Sequence, residues 1–200
     1  LEEEVNNFAS KKLIVDNPGE AFAYGGIGIN IAGRVIEVVT KKTFDRVITE
    51  KLFRPMGMRT ATFYNENGNA PNPSGGAVCS AFDYLNFMQM LLNKGIFNNK
   101  RILSEKAVQE MLTIQFPDLK VRYTPELAKG FKYALGAWVQ ERDDEEKGFV
   151  FSCPGLLGTW PWMDAKRNYV GIVFSKGLIT GQKKELSIQV KEAVDTALDQ

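Results

Sequence analysis

The segment GFVFSCPGLLGTWPWMDAKRNYVGIVFSK, Gly148 to Lys176, decides the architecture. It divides into three strands. Phe149–Cys153 is the first; Pro154, Gly155 and Gly158 interrupt it, so the backbone must bend there or admit another group closely. Thr159–Met163, rich in aromatic and β-favouring residues, is the second. Asp164–Asn168 is a polar turn. Tyr169–Phe174 is a nearly continuous apolar run, too short for a membrane span and suited to a strand covered on both faces. Trp160 and Trp162 alternate onto one face, as core residues more than as a pocket lining. The rest of the chain must then supply helices for two sides of a sheet.

Working outward, Glu185–Leu198 predicts a closing helix with Leu186, Val190, Ala193, Val194 and Ala197 as its inward stripe. Upstream, Tyr133–Gln140 predicts a strand and Glu141–Gly148 a charged turn, its acidic run Asp143–Glu146 in solvent. Phe116–Phe131 reads as irregular and polar. The earlier part is mostly helical. Leu1–Leu13 is one helix, its acids Glu2–Glu4 suiting the N-terminal dipole. Ile27–Thr40 is another, with Ile27, Ile31, Val35 and Val38 on one face and Ile29, Ala32, Ile36 and Val39 over much of the rest. A helix apolar nearly all round is expected to be deeply buried, with Gly33 letting another element approach.

Phe44–Phe53 follows, with Thr43 as N-cap and Pro55 and Gly57 as its stop. Thr60–Tyr64 reads as a short strand, and Asn65–Gly76 as a polar loop long enough to serve a cleft. Ser80 and Asp83 are spaced as a capping box for a helix that Gly95 stops; Ser104 caps one reaching Thr113. The expected class is α+β: an antiparallel sheet flanked by helices. Residues 1–131 form a mainly helical region and 132–200 the strands plus the last helix, sharing one core.

Composition is that of an ordinary globular chain: 44% apolar and 24% charged residues, with a net charge of +1. This balance argues against nucleic acid or an anionic membrane surface as the partner. No membrane span is expected. There is no histidine, which excludes Ser-His-Asp and Cys-His mechanisms within the chain and histidine zinc sites. Two cysteines, Cys79 and Cys153, cannot make a four-cysteine metal site, so neither metal nor cofactor is expected. Two free buried thiols are the simpler reading, with pairing left open.

Ordered motifs across nearly the whole chain resemble one family. They are PGEAFAYGGIGINIAGRVIEVVTKKTFDRVITEKLFRPMGMRTATF (18–63), GGAVCSAFDYLNFMQMLLNKGIFNNKRILSEKAVQEM (75–111) and GLLGTWPWMDAKRNYVGIVFSK (155–176). The resemblance is to serine β-lactamases of class C type and the related D-alanyl-D-alanine carboxypeptidases and esterases. It implies acyl transfer to a serine in an S-x-x-K motif at a helix start, with the Lys helping to remove the hydroxyl proton. It further implies a Tyr-x-Asn motif for proton traffic and substrate holding, and a strand wall whose backbone N–H helps to hold the oxyanion. Membership implies a small-molecule or peptide substrate in the parent protein and a periplasmic or other extracytoplasmic place in a bacterium.

Carried over by position, Tyr24 stands at the motif Tyr and Gly26 at the Asn. Cys153, Pro154 and Gly155 stand at the wall positions that the family fills with Lys or His, a hydroxyl or glycine, and glycine. Leu156 supplies the oxyanion N–H. No S-x-x-K occurs in the expected context, and the residues before Pro18 are too few for the family's N-terminal strands and nucleophile helix. The expectation is therefore a partial β-lactamase/transpeptidase-like fold, the C-terminal portion of a serine hydrolase, inactive alone. The alternative is a degenerate, non-catalytic binding or structural protein on the same fold, because truncation does not explain Gly26, Cys153 or Pro154. A cysteine-based acyl transferase using Cys153 is a third reading. Tyr24 either transfers protons or packs beside the helix. Missing strands would leave a sheet edge open, so that the chain is expected either to dimerise through it or to be marginally soluble.

Overall fold

The computed structural model describes residues 1–11, 16–64 and 70–200. The end of the first expected helix and part of the Asn65–Gly76 loop lie outside the described residues. In chain order the elements are α1 (Glu2–Lys11), β1 (Ala21–Ala23), α2 (Ile27–Thr40) and α3 (Phe44–Ile48), the last continued by a π-helical turn at Thr49–Phe53. Next come α4 (Ala81–Leu92), β2 (Ile96–Phe97), β3 (Lys100–Arg101), α5 (Glu105–Met111), β4 (Lys120–Tyr123), β5 (Lys132–Tyr133) and β6 (Trp138–Arg142). The chain closes with β7 (Gly148–Ser152), β8 (Thr159–Asp164), β9 (Tyr169–Phe174) and α6 (Gly181–Leu198). Two compact units result: Leu1–Asn86 with Leu119–Tyr123, and Phe87–Asp118 with Thr124–Gln200. The division read from the sequence at residue 131 is one of secondary-structure type; the compact units group residues 87–118 with the sheet.

The second unit is built on a five-stranded antiparallel sheet in the order β5-β6-β7-β8-β9. The three strands of the deciding segment lie side by side, with Ser152 opposite Trp162 and Trp162 opposite Gly171. Gly171 has a steric reason: a Cβ there would sit 2.2 Å from the Trp162 ring. Trp160 and Trp162 are core residues, packed with Val150 and Ile179 and against Val173, Tyr169 and Ile188. The strand expected at 133–140 is instead a hairpin of β5 and β6 turning through Gly136, which has φ +88.

The closing helix is in place, but its predicted stripe faces the wrong way. Leu186 and Val190 are exposed, while Ser187 and Lys191 are buried. The reason is electrostatic. The Lys191 ammonium reaches Asp195 at 2.6 Å, Glu141 at 2.8 Å and the fully buried Asp164 at 3.5 Å. Burial alone would lower the lysine's pKa; hydrogen bonds to Asp195 and Glu141 outweigh it and hold the pKa above its ordinary value. Tyr169 adds a hydrogen bond to Asp195 at 2.5 Å, and Arg167 joins Asp164 to Asp199. A polar face that finds this many partners fixes the helix rotation against its apolar periodicity.

In the first unit, β1 pairs in parallel with β4, so the expectation of irregular chain over 116–131 is corrected. Arg122 of β4 is ion-paired with Asp16. Thr60–Tyr64 contributes a single antiparallel bridge, Thr62 to Val78, in place of a strand. Asp83 forms half of the expected capping box: its N–H donates to Ser80 Oγ at 3.2 Å. Its buried carboxylate instead accepts from Thr60 N–H at 2.8 Å and Thr60 Oγ1 at 2.6 Å. Thr43 makes no side-chain cap; Glu37 of α2 accepts the Phe44 N–H instead, at 3.0 Å.

The largest departure concerns α2. Its boundaries are those read from the sequence, yet its buried residues are Asn30 and Gly33. Ile27, Ile29, Ile31, Val35, Val38 and Val39 are exposed, Val39 at 75%. The expectation of deep burial fails because what packs on α2 in its unit seats on one narrow face, at Gly26, Asn30, Gly33, Arg34 and Glu37.

Candidate functional site

The residues that the sequence marks fall into two groups, one in each unit. In the first, Tyr24 directly follows β1, and its N–H donates to Tyr123 O at 3.0 Å, so β4 sets the backbone from which it projects. Gly26 is the N-cap of α2, with φ −75 and ψ −18. Any residue adopts that conformation, so backbone freedom is not why glycine is here. Crowding is: a Cβ on residue 26 would lie 2.6 Å from Ser74 Oγ and 2.9 Å from Ser74 Cβ.

Ser74 belongs to a turn laid along α2. Its N–H donates to Asn30 Oδ1 at 3.0 Å and to Asn72 Oδ1 at 3.2 Å; its Oγ donates to Asn72 Oδ1 at 2.9 Å. Asn30 is 8% exposed and donates through Nδ2 to Glu4 at 2.8 Å. One helical turn on, Pro73 Cγ lies 2.7 Å from where a Cβ on Gly33 would be. Gly33 thus admits a close neighbour, as its place in the helix suggests. Sequence reading missed Ser74 and Asn30. The available signal was the spacing of Gly26, Asn30 and Gly33, a small and polar line down an otherwise apolar helix.

In the second unit, Cys153 to Leu156 leave the end of β7. Gly155 N–H donates to Thr159 O at 2.8 Å and Gly158 N–H to Gly155 O at 3.0 Å, closing a tight turn into β8. Gly158 has φ +106, and a Cβ on it would strike Ser175 O at 2.2 Å. Ser175 N–H reaches Gly158 O at 2.8 Å, and Ile179 N–H reaches Leu156 O at 2.9 Å, so the segment after β9 pins the turn. Gly155 is not so constrained: a Cβ there would meet Thr159 at 3.4 Å, an ordinary contact. The Leu156 N–H has no acceptor among the described residues. The Leu156 and Leu157 side chains are exposed.

Both cysteines are free, which agrees with the simpler reading, but they are less buried than expected: Cys79 is half-buried and Cys153 exposed. Protein packed around the Cys153 sulfur nonetheless pushes its thiol pKa up, and burial, then Asp83, does the same for Cys79. Neither sulfur is held as a thiolate. Among the described residues no group of His, Cys, Asp and Glu is placed to hold a metal ion, and no helix is long and apolar enough to cross a membrane.

Comparison with known proteins bears on this geometry. The Beta-lactamase family model matches residues 3–195. Protein Rv1367c of Mycobacterium tuberculosis (strain ATCC 25618 / H37Rv) is 26% identical over 187 residues, a match covering 76% of this chain and 45% of that protein. The chain therefore spans about half the length of the curated relatives it matches. A candidate β-lactamase from Bacteroides dorei DSM 17855 is 27% identical with a TM-score of 0.83, over 99% of this chain and 64% of that one. A β-lactamase (Mb2281c) from Mycobacterium bovis, 20% identical, shares the fold with a TM-score of 0.76, over 93% of this chain and 68% of its own. The resemblance read from the sequence motifs and the expected antiparallel sheet with helices, covering a portion of the family fold, both hold.

Proposed function

The chain belongs to the Beta-lactamase family, and on that premise we propose that it is the C-terminal portion of a serine hydrolase acting on a β-lactam, a D-Ala peptide or an ester. The observation that carries this reading is α2. Six of its large apolar residues stand exposed, although a helix apolar on several faces is stable only when covered. In a chain about half the length of its curated relatives, that surface calls for more of the fold.

In the proposed reaction a serine hydroxyl outside these residues attacks the substrate carbonyl. Its proton passes by way of the S-x-x-K lysine and Tyr24 to the leaving group, and an acyl-enzyme forms. Water then attacks the acyl carbon, returning the proton to the serine and releasing the acid. Cys153, Pro154 and Gly155 stand at the strand-wall positions of the family motif. The unpaired Leu156 N–H donates to the oxyanion. Pro154 brings neither a hydroxyl nor an N–H to that wall.

This chain alone is expected to be inactive. Nitrocefin or p-nitrophenyl ester turnover tests this: saturable turnover above a Tyr24→Phe control would refute it. Acylation of the full-length protein by a fluorescent penicillin, read by intact mass, tests the reading of the whole. The loss of polar groups at residues 26, 153 and 154 favours a second reading, a non-catalytic relative on the same fold. A folded full-length protein that takes neither penicillin nor ester would support it. Cysteine-based transfer is disfavoured by the raised Cys153 thiol; iodoacetamide labelling near neutral pH is expected to run no faster than on a free cysteine. We place the protein outside the cytoplasm by family analogy. We also expect β9, an edge strand of the sheet, to mediate dimerisation, which sedimentation of the isolated chain checks.

A further inference from the structure

We propose that Ser74 supplies the polar side chain that residue 26 lacks, and that its hydroxyl is a substrate-binding group beside Tyr24. The inference rests on the reading above, in which Tyr24 and position 26 line the acyl-transfer site. The family motif places an amide side chain at position 26, and here the start of that side chain's path is taken by another part of the chain. Ser74 Oγ and Cβ lie 2.6 Å and 2.9 Å from the point where a side chain on residue 26 would begin. A residue larger than glycine at 26 and the serine at 74 therefore compete for the same space, so the two positions form an exchange pair.

Ser74 is not a loose loop residue. Its backbone is held by the buried Asn30 from the helix side and by Asn72 from within the turn. Pro73 seats on Gly33 one helical turn further along. A polar group fixed in this way loses little freedom when it binds. Its hydroxyl proton is donated to Asn72 Oδ1 at 2.9 Å. That leaves oxygen lone pairs to accept from a donor, because a hydroxyl gives one hydrogen and accepts two. The amide that it replaces could donate as well as accept. The site thus favours substrates that bring an N–H or O–H to this position, such as the amide N–H of an acylated amine.

The test uses the full-length protein, with thermal midpoint and fluorescent-penicillin acylation rate measured together. Gly26→Asn is expected to lower the midpoint, and Ser74→Gly to restore it in the double variant by vacating the space. Ser74→Ala keeps Cβ, so its midpoint stays near wild type while acylation falls about tenfold, the effect of losing one hydrogen bond to substrate. Gly26→Asn with Ser74→Gly is expected to recover acylation. Additive midpoints for the two substitutions would overturn the exchange. Wild-type acylation at full rate in Ser74→Ala would overturn the inference while leaving the acyl-transfer reading intact. If the wild type takes no penicillin, p-nitrophenyl ester turnover replaces acylation as the readout for the same variants; a folded wild type that takes neither would defeat that reading, and the substrate role of Ser74 with it.

Discussion

α2 and β8 are both written in apolar residues, yet one is bare and the other covered. Trp160, Trp162 and Met163 of β8 are at most 3% exposed, between β7 and β9, and the two tryptophans pack with residues of α6 and its approach. α2 buries one asparagine and one glycine. Apolar sequence states a need for cover; it does not say where the cover comes from. β8 finds it within its own unit, from strands adjacent in sequence. The exposed faces of α2 have no such neighbours in theirs.

The largest effect should fall on the covered element. Trp160→Ala is expected to cost about 3–5 kcal/mol in a denaturant melt, as for other buried aromatics. A cost under about 1 kcal/mol would break the contrast with α2. Close behind is Lys191→Met. It removes the buried cation that Asp164, Asp195 and Glu141 share, leaving Arg167 to serve the first two and none for Glu141, and should cost about 3 kcal/mol, the usual result of removing one side of a buried ion cluster. Gly158→Ala should cost about 1–3 kcal/mol or more, from its positive φ and the clash with Ser175. Gly155→Ala should be nearly neutral for folding, so any loss of acylation in that variant reports on the substrate side of the wall.

The pH dependence of the α6 clamp is smaller. Burial would raise the Asp195 pKa, but hydrogen bonds from Lys191 and Tyr169 prevail and hold it below its ordinary 3.8. A lowered folded pKa stabilises at pH above 3.8 and ceases to as pH falls through the folded value. Burial and then Asp195 push the Tyr169 pKa up to about 12 from 10.0. That contribution is complete below pH 10 and is lost as pH rises towards 12. Melts across both windows should show each limb reduced, in Asp195→Asn and Tyr169→Phe respectively. Smallest of all, Val39→Ser in the isolated chain should change stability by less than about 0.5 kcal/mol. In the full-length protein the same substitution should cost more than about 1 kcal/mol if α2 is covered there. Equal small effects in both would remove the main support for a larger fold.

Legibility followed the range of the interactions. α2 and β9 were readable to their ends, because periodicity, glycine punctuation and β-favouring residues act between neighbours. β4 was not, since Lys120–Tyr123 is four exposed residues whose partner, β1, lies far back in the chain. The rotation of α6 was misread because the apolar stripe was weighed without the carboxylates that Lys191 meets. At the site, Tyr24, Gly26 and the Cys153–Leu156 wall were marked by motif position. What Gly26 accommodates was invisible, since Ser74 sits in a loop with no periodic signal.

By itself the sequence determined the family, the three central strands, the tryptophan face of the sheet and the lack of histidine within this chain. These depend on residue type and near-neighbour spacing. Only the tertiary structure decided that Ser74 fills the space beside Gly26, that Lys191 turns α6 polar side inward, and that α2 stands exposed. Each of those is a contact, or a missing contact, between segments distant along the chain, and such contacts are set by the path of loops and the pairing of charges.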